Sequence, residues 1–343
     1  MSQTAARVLL VRFGSIGNAL VAVPAIRALK QARPRSRLSL LADPITFELY
    51  QGCPYLNEII LYDWKGRHRF GRGYLGLIAD LRARRFSHSI HFRRYLRSEL
   101  LGLFSGARER IGFQTESPLQ FLTRPSPYRE GESVIEQNLN LVRALGIEAG
   151  DRRLECWPMD SPAVGRVFGQ LGNGPGPVVV FHPGGATQRE HLWPHYGMLA
   201  RKLIEARQAR VIMIGTPAEA AEVERQAGAA GGPVGRAVGL PIREVAEVIR
   251  RADLFIGTDS GPAHLADAVG IPGVILYAPR RGLQAQVRKW KPEGGYFLAL
   301  LPRRDCGECG EYPCPLSRQQ ECAASIPIEE ALAGAEKLLG RPR

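Results

Sequence analysis

One stretch constrains the fold more than any other: Ala252 to Pro279, reading ADLFIGTDSGPAHLADAVGIPGVILYAP. Leu254-Phe255-Ile256, ending at Gly257, is a short apolar run of the kind that forms a buried parallel strand. Thr258-Asp259-Ser260-Gly261 makes a tight turn, and Pro262 suits the first turn of a helix, where its missing N–H costs nothing. Leu265, Ala266, Ala268 and Val269 form the apolar side of that helix, Gly270 stops it, and Val274-Ile275-Leu276 begins the next strand. Free N–H groups and the positive end of a helix dipole then meet at the strand's carboxyl end, an arrangement that suits a phosphate. Asp259 and His264 would flank the bound group. The plainer alternative is a βα connection with Asp259 as a helix cap.

The same alternation runs through the rest of the chain. In the first half, apolar strands are expected at Arg7–Arg12, Arg37–Leu41, Glu58–Leu61, Ser87–Phe92 and Arg110–Phe113. Helices are expected at Ala19–Ala32, Ile45–Gln51, Gly71–Arg85, Leu96–Ser105 and Val134–Leu145. Gly146 to Pro177 is rich in Gly and Pro and breaks the rhythm, so it is the expected linker. The pattern then restarts, with strands at Val178–Phe181 and Arg210–Ile214. Helices follow at Pro194–Ala206, Ala218–Ala230 and Ile242–Arg250, with a last one at Ile328–Leu339. The expectation is an α/β chain of two domains, 1–155 and 156–343, each around a parallel doubly wound sheet. Two such halves facing each other would leave a cleft, a usual place for a ligand.

With 343 residues the chain exceeds one typical core. No apolar run approaches the ~20 residues of a membrane span, and Arg7 and Arg12 interrupt any signal-peptide core, so a cytoplasmic protein is expected. The net charge of +13, with only six Lys among 46 basic residues, points either to an acidic partner, including an anionic membrane surface, or to an Arg-favouring genome. A nucleic-acid module would interleave cations and aromatics along one face. Here the cations gather at the expected sheet edge and are otherwise scattered, so no nucleic-acid partner is expected. The sequence carries no reading of oligomeric state.

Four constellations carry chemistry. After the strand Val178–Phe181 comes His182-Pro183-Gly184-Gly185-Ala186-Thr187-Gln188-Arg189-Glu190-His191. Thr187, Gln188, Arg189 and His191 there can all donate to phosphate oxygens. Gly14-Ser15-Ile16-Gly17-Asn18 follows the first strand, and its glycines allow close approach of another molecule. It is not Gly-x-Gly-x-x-Gly, which excludes the usual dinucleotide fingerprint of a dehydrogenase. Arg93-Arg94-Tyr95-Leu96-Arg97 places Arg93, Arg94 and Arg97 at a helix start, where cations are unfavourable without an anionic ligand. Cys306, Cys309, Cys314 and Cys322 lie within seventeen positions and suit a closed structural metal site, Zn or alternatively iron. Four thiolates leave no open position, so such a metal would hold the loop 303–324.

In their shared order, RVLLVRFGSIGNALVAVPAIRALK, FSGARERIGF, VIEQNLNLVRALG, FHPGGATQREHLWP, IGTDSGPAHLADAVGIPGVILYAP and the Cys cluster followed by SIPIEEAL resemble glycosyltransferase family 9, the ADP-heptose:lipopolysaccharide heptosyltransferases. The resemblance implies a GT-B fold of two facing Rossmann-like domains. It also implies inverting transfer of a sugar from a nucleotide-sugar, ADP-heptose above others, to a hydroxyl of an anionic lipopolysaccharide core or related glycan. No catalytic metal is expected. Asp259, Ser260, Gly261 and His264 would bind the donor's pyrophosphate and sugar, and Thr187 its phosphate; Leu240 would lie near the base and Glu219 near the ribose. The basic residues of the first domain would face the acceptor, together with Gly14, Ser15 and Gly17, which places the enzyme in the cytoplasm or peripherally at the inner face of the membrane. Two positions depart from the family pattern. The general-base Asp is Asn18 here, and a neutral amide cannot accept a proton. The phosphate-binding Lys is His191. The reading is that Asn18 orients the acceptor and that His91 is the candidate base. Another donor sugar, a protein acceptor, or binding without catalysis are the alternatives.

Overall fold

The structure is a computed structural model that describes residues 6–115, 119, 121–185, 192–278, 283–294, 296–303 and 319–341. The chain divides into two compact units, one ending at Trp157 and one starting at Pro158.

The first unit holds six strands: β1 (Arg7–Arg12), β2 (Arg37–Ala42), β3 (Glu58–Leu61), β4 (His88–His91), β5 (Glu109–Phe113) and β6 (Arg124–Ser126). They form one sheet in the order β3-β2-β1-β4-β5-β6, and every pairing is parallel. β1 is central, and Val8 to Val11 are buried on both faces, which is why its apolar run shows no alternation. β6 was not expected, because Arg124-Pro125-Ser126 lacks an apolar run; Pro125 is tolerated since the strand lies at the sheet edge.

The helices are α1 (Ile16–Leu20), α2 (Val23–Ala32), α3 (Pro44–Leu49), α4 (Gly71–Ala83), α5 (Leu96–Phe104) and α6 (Val134–Arg143). The single helix expected at Ala19–Ala32 is two helices. Pro24 lacks an N–H and its ring crowds the preceding turn, so the chain stops α1, turns at Val21 and Ala22, and restarts with Pro24 in the first turn of α2. Asn138 Nδ2 of α6 donates to the Val21 carbonyl at that break, 2.8 Å away.

The expected linker is narrower than Gly146–Pro177. Residues up to Trp157 pack on the first unit: buried Arg27 pairs with Glu155 at 2.7 Å and with Asp151 at 3.1 Å, and the Trp157 ring lies 5.6 Å from that of Tyr50. The far part of the stretch contains a helix, α7 (Pro162–Gly169), whose N-cap Ser161 Oγ accepts from the N–H of Ala163 and Val164.

The second unit repeats the plan. β7 (Val178–His182), β8 (Arg210–Gly215), β9 (Val234–Val238), β10 (Leu254–Thr258), β11 (Gly273–Leu276) and β12 (Phe297–Leu300) lie in the order β12-β11-β10-β7-β8-β9, again parallel throughout. Counted within its own unit, each sheet has strand order 3-2-1-4-5-6, the Rossmann arrangement. The remaining helices are α8 (Tyr196–Arg207), α9 (Ala220–Ala230, after a 3-10 turn at Pro217–Glu219), α10 (Ile242–Arg250), α11 (Gly261–Val269), α12 (Leu283–Trp290), α13 (Gln319–Ala324) and α14 (Ile328–Leu339). Trp193 is buried in the core of this unit. Its Nε1 donates to the Ile326 carbonyl at 3.0 Å and its ring meets Tyr196 edge-on at 5.1 Å, so it ties the chain before α14 to the sheet.

Candidate functional site

In a sheet of this order the connections leave in opposite directions at the two central strands, and a crevice opens at their carboxyl ends. Those ends are β1 with β4 in the first unit and β7 with β10 in the second. Both of the expected loops that follow a unit's first strand begin there.

In the first unit, β1 runs into Gly14, whose φ of +132° lies where side chains with a Cβ are strained. This turn aims the Gly14 N–H at Asp43 Oδ2, 2.8 Å away. Asp43 follows β2 and caps α3, its Oδ1 accepting from the Thr46 N–H at 3.0 Å. Its carboxyl is 7% exposed and lines a cavity of about 490 Å³ with Phe13, Gly14, Tyr62, Trp64, Tyr95, Leu96 and Arg97. Four of those walls are aromatic rings, a surface on which the C–H face of a sugar can stack.

Asn18 stands beside this loop and is held from several sides. Its Oδ1 accepts from Arg93 Nη1 at 2.6 Å and from Arg12 Nη2 at 3.1 Å, and its Nδ2 donates to Ser15 Oγ at 2.9 Å. Arg12 is buried and also donates from Nη1 to the Phe92 carbonyl, which clamps β1 to β4. Burial first, then the neighbouring Arg93, brings its guanidinium down to about 9. Arg93 thus joins Gly14, Ser15, Gly17 and Asn18 in one place, and Arg97 reaches the same cavity. The guanidinium of Arg93 lies 4.6 Å over Tyr95, and that of Arg97 4.9 Å over Trp64. Arg94 is directed elsewhere, over Tyr128 at 4.7 Å and toward Glu130 at 3.5 Å.

The assignment of His91 as general base is corrected. Its ring is 0% exposed, its Nε2 is 2.8 Å from Ser89 Oγ, and α5 presses against it at Gly102, where a Cβ would collide with the imidazole. Burial, then Arg110, drives its pKa down to about 3. A neutral ring closed in by its own helix cannot reach an acceptor hydroxyl.

In the second unit, His182 ends β7. Its Nδ1 is 3.1 Å from Ser260 Oγ and its Nε2 is 3.6 Å from Glu219 Oε2. Thr258 Oγ1 at the end of β10 donates to the Gly184 carbonyl at 2.8 Å, so the loop leaving β7 starts against the Asp259 turn. Ser260 is the N-cap of α11 and Gly261 its first residue. The sequence places Asp259 at the head of this turn. Buried His264 sits in the first turn of α11; its Nδ1 has no hydrogen-bond partner among the described residues, its ring meets Trp290 edge-on at 6.1 Å, and burial lowers its pKa to about 4. Burial pushes the Glu219 carboxyl up, but the nearby His182 imidazole and hydrogen bonds from the Thr216 N–H and hydroxyl outweigh that and hold it at about 2. Glu219 is therefore an anion that fixes His182 and the turn at Thr216. Leu240 follows β9 and is half-buried.

Thr187, Gln188, Arg189, His191, Cys306, Cys309 and Cys314 lie outside the described residues. Cys322 lies in α13 and is buried. Sequence reasoning missed Asp43, Arg12 and the aromatic walls Tyr62, Trp64 and Tyr95. Asp43-Pro44 directly after a strand was the available signal, since it marks a capped helix opening at the same edge as Gly14. These aromatic walls come from two separate connections, after β3 and after β4, and leave no local pattern.

The family model of glycosyltransferase family 9 (heptosyltransferase) matches residues 74–316. Lipopolysaccharide heptosyltransferase 3 of Escherichia coli is 28% identical over 353 residues, covering 94% of this chain and 95% of that protein. Among solved structures, a family 9 glycosyl transferase from Veillonella parvula superposes with a TM-score of 0.81 at 19% identity, covering 99% of this chain and 98% of its own. The E. coli heptosyltransferase WaaC, solved with ADP-2-deoxy-2-fluoro heptose, superposes with a TM-score of 0.72 at 17% identity, covering 96% and 99%. Both units have the Rossmann-like sheets of these GT-B neighbours, and the chain belongs to glycosyltransferase family 9.

Proposed function

We propose that this glycosyltransferase moves a sugar, a heptose from ADP-heptose, with inversion onto a hydroxyl of a lipopolysaccharide core or a related anionic glycan. The observation that carries the donor half is the linked edge of β7 and β10: Gly184 on Thr258, His182 on Ser260, and the opening of α11 beside them. The first N–H groups of α11 and the dipole behind them favour a diphosphate, and favour it more as charge builds on the leaving group. WaaC, which shares the fold, was solved with an ADP-heptose analogue; that supports an ADP-sugar here. Neutral His264, whose Nδ1 has no partner among the described residues, can serve a sugar hydroxyl or phosphate oxygen.

The acceptor half rests on the aromatic cavity and its cations. Arg93 and Arg97 match acidic sugars or phosphates. In the transfer, the acceptor oxygen bonds to the anomeric carbon as that carbon's bond to phosphate breaks, and the electron pair leaves with the diphosphate. The acceptor proton needs a carboxylate or similar base. Asn18 cannot take it, and Asp43, whose carboxylate lines the cavity, does. No metal enters these steps.

Cys306, Cys309, Cys314 and Cys322 hold a structural metal. The donor set is four thiolates, and buried Cys322 suits a closed site. Metal analysis of the purified protein tests this, because Cys309→Ser would lower bound Zn or iron. The function itself is tested by offering ADP-heptose with a lipopolysaccharide core oligosaccharide. Acceptor-dependent ADP release supports transfer, whereas ADP binding without release favours a nucleotide-sugar binding protein.

A further inference from the structure

Between Trp64 and Ala79 the chain carries Lys65, Arg67, Arg69 and Arg72 and no acidic residue. The structure gathers this run into a turn followed by α4, and leaves on its surface the side chains a soluble protein normally covers. Phe70 is 72% exposed and Leu75 67%, and Trp64 is exposed beside them. α4 faces its own core with Leu77 and Leu81, supported by Tyr74 and Ile78. Its opposite stripe, Arg72, Leu75, Ala79 and Arg82, is exposed, so the helix is apolar inside and mixed cationic-apolar outside.

The cations are positioned by the aromatic rings. Arg69 lies 5.3 Å over Phe70 and Lys65 5.2 Å over Trp64. The nearby acids are taken up: Asp63 accepts from the N–H of Gly66 and Arg67, and Asp80 pairs with Arg84. Among the described residues no carboxylate pairs with Lys65, Arg67, Arg69 or Arg72. Exposed rings and a leucine among unpaired cations match the interface of an anionic bilayer, where cations meet head groups and apolar side chains enter the acyl boundary. Trp64 also lines the cavity that holds Asp43, so the surface is continuous with the proposed acceptor pocket.

We infer that residues 64–79 form a docking surface for an anionic lipid bilayer. The surface stands on its own residues. Its link to a lipid-borne acceptor rests on the transfer reading above. Docked there, the protein would bring the cavity to the head-group level, where a glycolipid's sugars lie.

Co-sedimentation of the full chain with phosphatidylcholine vesicles, with and without about 30% phosphatidylglycerol, tests the inference at about 100 mM salt. Binding is expected only to the anionic vesicles and is expected to weaken as salt rises. Lys65→Glu/Arg67→Glu/Arg69→Glu should lower the partition at least about tenfold. Phe70→Ser/Leu75→Ser, which removes no core contact, should lower it by about fivefold or more. A control of equal charge change on exposed residues elsewhere, Arg35→Glu/Arg108→Glu/Arg166→Glu, should stay within about twofold of wild type. Absence of binding to anionic vesicles, equal losses in the control and patch triples, or a Phe70/Leu75 pair that binds like wild type would each overturn it. ADP titration of the same proteins keeps the donor site separate: a wild type that binds ADP and transfers sugar, yet ignores vesicles, overturns this inference alone.

Discussion

Arg93 Nη1 donates to Asn18 Oδ1 at 2.6 Å, and this contact decides what Asn18 can do. The amide oxygen already accepts from Arg93 and Arg12, so Asn18 serves as a brace that fixes Arg93 over the acceptor loop. Arg93→Ala should therefore raise the acceptor KM by about tenfold or more, the loss of one charge-assisted contact, and leave the melting temperature nearly unchanged. Arg93→Lys should not restore it, because an ammonium cannot hold Asn18 and stack on Tyr95 in one geometry. Steady-state kinetics against acceptor concentration checks both; an unchanged KM in Arg93→Ala would remove Arg93 from the site.

Asp43 is the group assigned to the acceptor proton. Asp43→Asn keeps a good helix cap for α3 but cannot accept a proton, so kcat should fall by about 10²–10⁴. Asp43→Ser, which also caps well, should fall equally. Both variants should melt close to wild type and bind ADP normally. Near wild-type turnover in Asp43→Asn would exclude the role.

At the donor edge, His182 links Ser260 to Glu219. His182→Ala removes the support of the α11 N-cap and leaves the Glu219 carboxylate without its imidazole neighbour. ADP affinity should drop by about 1.5–3 kcal/mol, the range for a lost hydrogen bond to a charged group. Isothermal titration measures it directly, and unchanged affinity would mean the network is structural only.

How much of this was legible beforehand follows from how local each signal is. β1 and β10 stood out because a central strand buried on both faces is apolar without interruption. β9, Val234–Val238, was missed because its apolar residues are separated by Gly235 and Arg236, the latter facing solvent. The Asp259 turn was readable because strand, small residues and helix start are consecutive. Asp43 and Gly14 are joined by one hydrogen bond across 29 positions, and no pattern in the chain announces that. His91 was misread for the converse reason. Its place at the end of β4 suggested the sheet edge, whereas alternation along the strand turns its ring into α5.

The burial of His91 has a pH consequence. Its folded pKa is near 3, against about 6.5 in the unfolded chain. Between those values the unfolded state binds a proton that the folded state refuses, so stability is complete above about pH 6.5 and declines as pH falls toward 3, by up to about 1.4 kcal/mol per pH unit. His264, lowered to about 4, acts in the same direction. The melting temperature should fall between about pH 7 and 5, and His91→Asn should flatten that fall. An equally steep fall in His91→Asn would contradict the assignment.

The most direct measurement is ADP release from ADP-heptose by the purified protein, with and without a lipopolysaccharide core oligosaccharide, followed by the anomeric configuration of the new linkage. Release that depends on the oligosaccharide, with an inverted product and loss of turnover in Ser260→Ala, is the expected result. Binding of ADP-heptose with no acceptor-dependent release, or a product that retains its configuration, would contradict the reading of this chain as an inverting sugar transferase.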